Sequence, residues 1–201
     1  MDNYKVLQRF FPAAAVDYCF EIWTEHSFAF KIKRKRLTKL GDYKYDPRTG
    51  RHTITVNNDL NPYSFLVTYI HEVAHLVTFK KYKRSVPPHG KEWKHAFKQL
   101  MQPLLSSKVF PPGLLAQVIQ YMKNPKASSC NDHGLAMALA QYDKNRPIVL
   151  QEIETGSLFR LGNRTFKKEE LKRTRYVCLE VKSGKRYLVS RSAPVDKVDP
   201  N

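Results

Sequence analysis

His71-Glu72-Val73-Ala74-His75 places two imidazoles and a carboxylate within five residues. On a helix, residues four apart are separated by about 400° of rotation and ~6 Å of rise, so both imidazoles leave the same face one turn apart. Their nitrogens can then approach one Zn²⁺ at ~2.0–2.1 Å. Glu72, about one residue round the helix, can hold a water that the metal activates. The chemistry such a set performs is hydrolysis. Zinc lowers the pKa of water toward ~7, and a neighbouring carboxylate takes the proton and later delivers it to a leaving amine. The bland alternative is two histidines on a core helix with an incidental Glu. HExxH does arise by chance, so the helix around it has to carry the chemical reading.

A catalytic zinc needs a third protein ligand and an open fourth position. His89, Glu92 and His95 follow within a short distance. His89 is the favoured ligand: it stands between Pro87-Pro88 and Gly90, at a rigid turn from which Trp93 and Phe97 can hold it against the HEVAH helix. Glu92 and His95 are the alternatives, and His95 falls on the face opposite Phe97. The pattern in which a glycine and a third His follow HExxH at fixed spacing fails, since Thr78 and Lys81 occupy those places.

The element that must position the motif is the longest patterned helix in the chain. Asn61-Pro62 supplies an N-cap and a first-turn proline, and Phe65, Leu66, Tyr69, Ile70, Val73, Leu76 and Val77 recur at three- and four-residue intervals to about Tyr82. Helices are also expected from Lys91 to Met101 and from Leu114 to Met122. Upstream, a first helix is expected to begin near Pro12. Segments Phe28–Lys35, Leu37–Tyr45 and Arg51–Asn57, with turn chemistry at Asp46-Pro47-Arg48-Thr49-Gly50, predict a small antiparallel sheet of three strands. Phe10-Phe11-Pro12-Ala13-Ala14-Ala15-Val16 imitates a secretory signal, but Pro12 breaks the apolar run and Asp17 follows it. Residues 123–146 are polar and small and read as a linker with a short helix over Leu135–Tyr142; residues 147–201 read as a small β module. Strands there are expected at Ile148–Leu150, Ser157–Leu161, Arg175–Val181 and Arg186–Ser190. The fold class is α+β.

HEVAH, a basic loop of about a dozen residues, and then His89-Gly90-Lys91-Glu92-Trp93 resemble the SprT-like metalloprotease family, whose mark is HExxH followed by a third His in an H-G-x-x-F/W setting. The resemblance covers about residues 1–122. It implies one zinc per chain held by His71, His75 and His89, with Glu72 as catalytic base. It also implies an intracellular protease, and the family's Spartan group degrades proteins crosslinked to DNA. Many relatives end in a zinc ribbon with two pairs of Cys. Tyr176-Val177-Cys178-Leu179-Glu180-Val181 resembles a ribbon strand with Glu180 or Val181 where a second Cys would stand, so Cys178 alone cannot build a second zinc site. Cys130-Asn131-Asp132-His133 lacks two further ligands and reads as linker.

The chain has 201 residues, 35 of them Lys or Arg against 18 Asp or Glu, for a net charge of +17. That balance favours a polyanionic partner or surface, such as nucleic acid, anionic lipid or an acidic protein, and the family resemblance makes DNA the expected one. Lys33, Arg34, Lys35 and Arg36 crowd one strand exit, and Lys83 and Arg84 end the HEVAH helix; these are the candidate nucleic-acid contacts. A hydrophobic fraction of 42% supports a packed core and excludes a disordered chain. The apolar runs fall far short of the ~20 residues that cross a bilayer. Three Cys cannot form a disulfide framework, which points to a reducing, cytoplasmic setting. The expected function is therefore a zinc endopeptidase acting on DNA-associated or DNA-crosslinked proteins. Two alternatives stand beside it: a metal-dependent nucleic-acid hydrolase, and a binding module whose zinc only staples two helices. Four residues, Tyr43, Tyr45, Tyr82 and His95, are unranked candidates for stabilising an oxyanion.

Overall fold

The computed structural model describes residues 3–36, 38–127, 132–144 and 148–198. They fall into two compact units that divide between Lys144 and Asn145. The first contains helices α1 (Asn3–Phe10) and α2 (Val16–His26), strands β1 (Ala29–Lys33), β2 (Gly41–Asp46) and β3 (Arg51–Asn57), and helices α3 (Pro62–Tyr82), α4 (Lys91–Met101), α5 (Pro112–Lys123) and α6 (His133–Ala140). Leu37 and Cys130-Asn131, which the sequence reading assigns to a strand and a linker, lie outside the described residues.

α3 is the axis of this unit. Its cap is the one its sequence encodes: the Asn61 side-chain oxygen accepts from the backbone amides of Tyr63 and Ser64, with Pro62 in the first turn. Phe65, Leu66, Tyr69, Ile70, Val73, Ala74 and Leu76 are fully buried. A helix apolar on this many sides belongs inside a core, with partners around it. α1, which the sequence reading did not anticipate, contributes Leu7, and Phe10 and Phe11 pack their rings 5.0 and 5.1 Å from that of Phe65. α6 is not free of this core: Leu135 and Leu139 are buried in it, and the Asn61 amide donates to the Leu139 carbonyl at 2.9 Å and to Asp143 at 2.6 Å. The capping residue of α3 thus also anchors α6.

The sheet order is β1-β3-β2. The β2–β3 hairpin is antiparallel as its turn requires, but β1 runs parallel to β3, so the sheet is mixed and not antiparallel throughout. The hairpin occupies one edge of β3, and β1 fills the other with Phe30 opposite Ile54 and Ile32 opposite Val56. This register aligns the apolar side chains on a single face. Strand alternation specifies a face and not a direction, which is why composition did not reveal the parallel pair.

The second unit holds β4 (Leu158–Leu161), β5 (Arg164–Lys172), β6 (Arg175–Glu180), β7 (Arg186–Ser190) and β8 (Asp196–Lys197) in an antiparallel sheet of order β7-β6-β5-β4-β8. Its core is Leu150, Ile153, Phe159, Phe166, Cys178, Val189 and Val195. The expected strand at Ile148–Leu150 reduces to one bridge, Val149 to Pro194, followed by a single 3-10 turn over Leu150–Glu152. β5 and β8 were not anticipated. Cys178 is fully buried among the core residues. Among the described residues no helix is long and apolar enough to cross a membrane.

Candidate metal centre

α3 delivers His71 and His75 to one face, and the turn before α4 brings His89 to meet them. His71 Nε2 lies 3.2 Å from His75 Nε2 and 3.3 Å from His89 Nε2, and one ligand atom from each residue falls within 4.8 Å of the others. A tetrahedral ion with ~2.05 Å arms separates its ligands by roughly 3.3 Å. Both short separations match that edge, so this donor set fits a tetrahedral N-ligated metal, and the His71/His75/His89 group could hold one. Burial lowers the pKa of all three imidazoles, to about 3 for His71 and about 4 for His75, with the neighbouring imidazoles adding to the effect at both. Neutral rings with free lone pairs are what a metal requires.

Trp93 holds the three rings in place. It is fully buried, its indole N–H points at the His71 carbonyl, and its ring lies 4.6, 5.4 and 4.8 Å from those of His71, His75 and His89. Phe97 stacks beneath it at 5.0 Å. Both sit on α4 at positions one turn apart, so packing of α4 against α3 fixes the third histidine. His95 is exposed on the other side of α4, away from the histidine cluster.

Glu72 is buried beside the histidines and lines the same cleft. Its carboxyl is pushed up to about 8 by burial and by Asp42, while the Tyr43 backbone amide, Arg36 and Lys39 favour its anion. The Tyr43 amide reaches it because β2 passes very close. A Cβ placed on Gly41 would stand 2.6 Å from Thr68 Cγ2 and 2.7 Å from Glu72 Oε1. Glycine is required there for space, since its backbone is extended. Neither Gly41 nor the Tyr43 amide was identified from the sequence; both depend on an approach between residues about thirty positions apart. Tyr43 and Tyr45 line the cleft, and the Tyr43 hydroxyl is held by His52 Nδ1 at 2.9 Å.

The six basic candidates divide into three groups. Lys33, Arg34 and Lys35 are exposed where β1 ends, Lys35 within 3.8 Å of Asp59. Arg36 turns inward: its Nε donates to Asn57 Oδ1 at 2.7 Å, and the fully buried Asn57 amide donates back to the Arg36 and Lys39 carbonyls. Lys83 and Arg84 line the cleft over the three histidines.

Residues 7–113 match the SprT-like family. That span is more than half of the chain and includes β1–β3, α3, His89 and α4, and the chain belongs to the SprT-like family, which is of metalloprotease type. No curated protein and no solved structure matches the chain.

Proposed function

We propose that the chain is a zinc-dependent endopeptidase that acts on proteins associated with or crosslinked to DNA. The observation that carries the reading is three clustered imidazoles, with His71 a tetrahedral edge from both His75 and His89, and the buried Glu72 in the same cleft. Zinc held by His71, His75 and His89 supplies Lewis-acid polarisation of a carbonyl and makes nearby water more acidic. Glu72 is the one carboxylate on that helix beside the cluster. A bound cation would favour the ionised form that burial alone disfavours, and a Glu72 carboxylate oxygen would then take the proton of the attacking water and return it to the nitrogen of the departing amine. Trp93 and Phe97 keep the rings from turning, and Gly41 with the Tyr43 amide keeps the carboxylate aimed. A zinc that only stapled two helices would be better served by a fourth protein ligand and would need no buried Glu. The DNA half rests on the net charge of +17 and on the exposed Lys33, Arg34 and Lys35.

The test compares wild type with Glu72→Gln, both zinc-loaded, on a basic protein bound to DNA. Glu72→Gln should keep about one zinc equivalent by elemental analysis while losing turnover by roughly 10²–10⁴-fold, the range for removal of a general base. Fragments produced equally by both proteins would refute the role of Glu72. Cleavage of free and DNA-bound protein at the same rate at every salt concentration would remove the DNA half.

A further inference from the structure

The cleft over the histidines has a volume of about 830 Å³ and is walled by β2, α3 and residues 83–89. Its charged groups are unequally matched. Lys39 is paired with Asp42 at 2.9 Å and Glu72 is buried, while the exposed Lys44 on β2 only adds to the Arg48 amide and Thr49 hydroxyl that hold Asp46 below its usual range. Lys83 and Arg84 are exposed, and their side chains make no hydrogen bond or ion pair among the described residues. The Lys83 ammonium lies 5.7 Å from the Phe79 ring and is close enough to His52 to disfavour its protonated form, so its neighbours among the described residues supply no anion.

Lys83 also stands in a conformation that a side chain resists. As C-cap of α3 it has φ 53° and ψ −125°, a region that glycine enters freely and residues with a Cβ rarely occupy. Capping does not account for lysine here. The bond made at this position, from the Lys83 amide to the Phe79 carbonyl at 2.8 Å, is one a glycine amide makes equally well. Lys80 and Lys81 already supply cations to the last helical turn. What lysine adds over glycine is an ammonium at the cleft.

We propose that Lys83 and Arg84 form a carboxylate-recognition site on the cleft, and that the polypeptide segment drawn toward the histidines is acidic. The hydrolytic consequence rests on the peptidase reading above; the binding does not. A peptide fits better than nucleic acid for two reasons. The volume lies within the ~300–1,000 Å³ range of pockets for small ligands, enough for a few extended residues and far too small for a duplex. The walls include Tyr45, Phe79, Val86, Pro87 and Pro88, and β2 is an edge strand with main-chain groups able to pair with an extended chain. A basic protein held on DNA would accordingly be cut within its acidic segments, since lysine-rich ones are repelled from this wall.

The experiment measures fluorescence anisotropy of two labelled peptides, identical except that one carries Glu where the other carries Gln, with full-length Glu72→Gln protein and added zinc. The acidic peptide should bind on the order of tenfold more tightly at low salt, a preference that shrinks as salt screens the charges. Lys83→Gly should reduce that preference by about two- to fivefold, the range for one exposed ion pair, and at the same time raise the melting temperature by removing the strained residue. Lys83→Gly combined with Arg84→Gln should abolish the preference. Equal affinity for the two peptides, an unchanged preference in the double variant, or a lower melting temperature in Lys83→Gly would each overturn the proposal. So would a short single-stranded oligonucleotide that binds more tightly than the acidic peptide and depends on the same two residues. Turnover by wild type separates the two readings. Preferential binding with cleavage of neither peptide refutes the peptidase and leaves the carboxylate site; cleavage of both at equal kcat/KM does the reverse.

Discussion

One polar cluster of each unit shows how burial serves opposite ends. In the second, the nearly fully buried Lys168 donates its ammonium to the Ile153 carbonyl and rests 3.8 Å above the Tyr176 ring. Glu180 is met by the Arg164 guanidinium at 2.6 Å and by the Ser183 hydroxyl. Both of these buried charges have a partner within the unit, and such a cluster is architecture. In the first unit, three imidazoles turn their nitrogens toward one another, and Glu72 is buried with the Tyr43 backbone amide donating to it. Groups held together without mutual neutralisation leave room for something else to complete them. Functional and structural polar clusters therefore differ less in burial than in whether their partners are already present.

The sharpest way to break the first cluster without touching a ligand is Gly41→Ala. The new methyl would meet Thr68 and Glu72 at 2.6–2.9 Å, and either β2 or the carboxylate has to move. A displacement near 1 Å costs up to ~10²-fold in rate, so turnover should fall about 10- to 100-fold while zinc stoichiometry stays the same. Full activity in this variant would mean that β2 does not aim Glu72.

That role for Gly41 is also where sequence reading stops. The HEVAH helix was legible because its cap, its apolar period and its motif agree within about twenty residues. His89 was legible because a proline pair and Trp93 frame it. β5 was not: Lys167, Lys168, Glu169 and Glu170 are four charges in succession, and only the fold reveals that Lys168 points inward beside Phe166. Arg36 looked like its exposed neighbours until Asn57, twenty-one residues on, was seen to hold it. Local pattern reports periodicity and caps; it is silent on which distant backbone comes close.

The second cluster can be opened at Lys168. Lys168→Met keeps the volume and removes the donor, leaving the Ile153 carbonyl unpaired, which costs about 1–3 kcal/mol for a buried group. Both tryptophans, Trp23 and Trp93, lie in the first unit, so the readout is taken from the second unit's own amides. Amide hydrogen exchange along β5 and β6 should quicken, with zinc content unaltered. Unchanged protection would show that the Lys168 ammonium is dispensable and that its alkyl stem alone fills the site.

The smallest expected effect is a pH dependence at Glu180. The Arg164 guanidinium, aided by the Ser183 hydroxyl, holds the folded carboxyl down at about 2, against 4.5 for an ordinary Glu. A group depressed on folding contributes stability that is fully present above its unfolded pKa and is lost as pH falls through the folded one. The window is therefore pH 4.5 down to about 2. Arg164 is exposed, so salt screens the pair and the contribution is modest. Asp46 and Asp132 are also held below their usual range, but both belong to the first unit. Exchange protection read from β5 and β6 amides, compared between wild type and Glu180→Gln, thus reports the difference that Glu180 makes within its own unit. Across that window, protection in wild type should decline more steeply than in Glu180→Gln, which starts lower and has no such carboxyl to titrate. Parallel declines would show that the Arg164–Glu180 contact adds nothing to folding, and the second cluster would be complete in geometry without being stabilising.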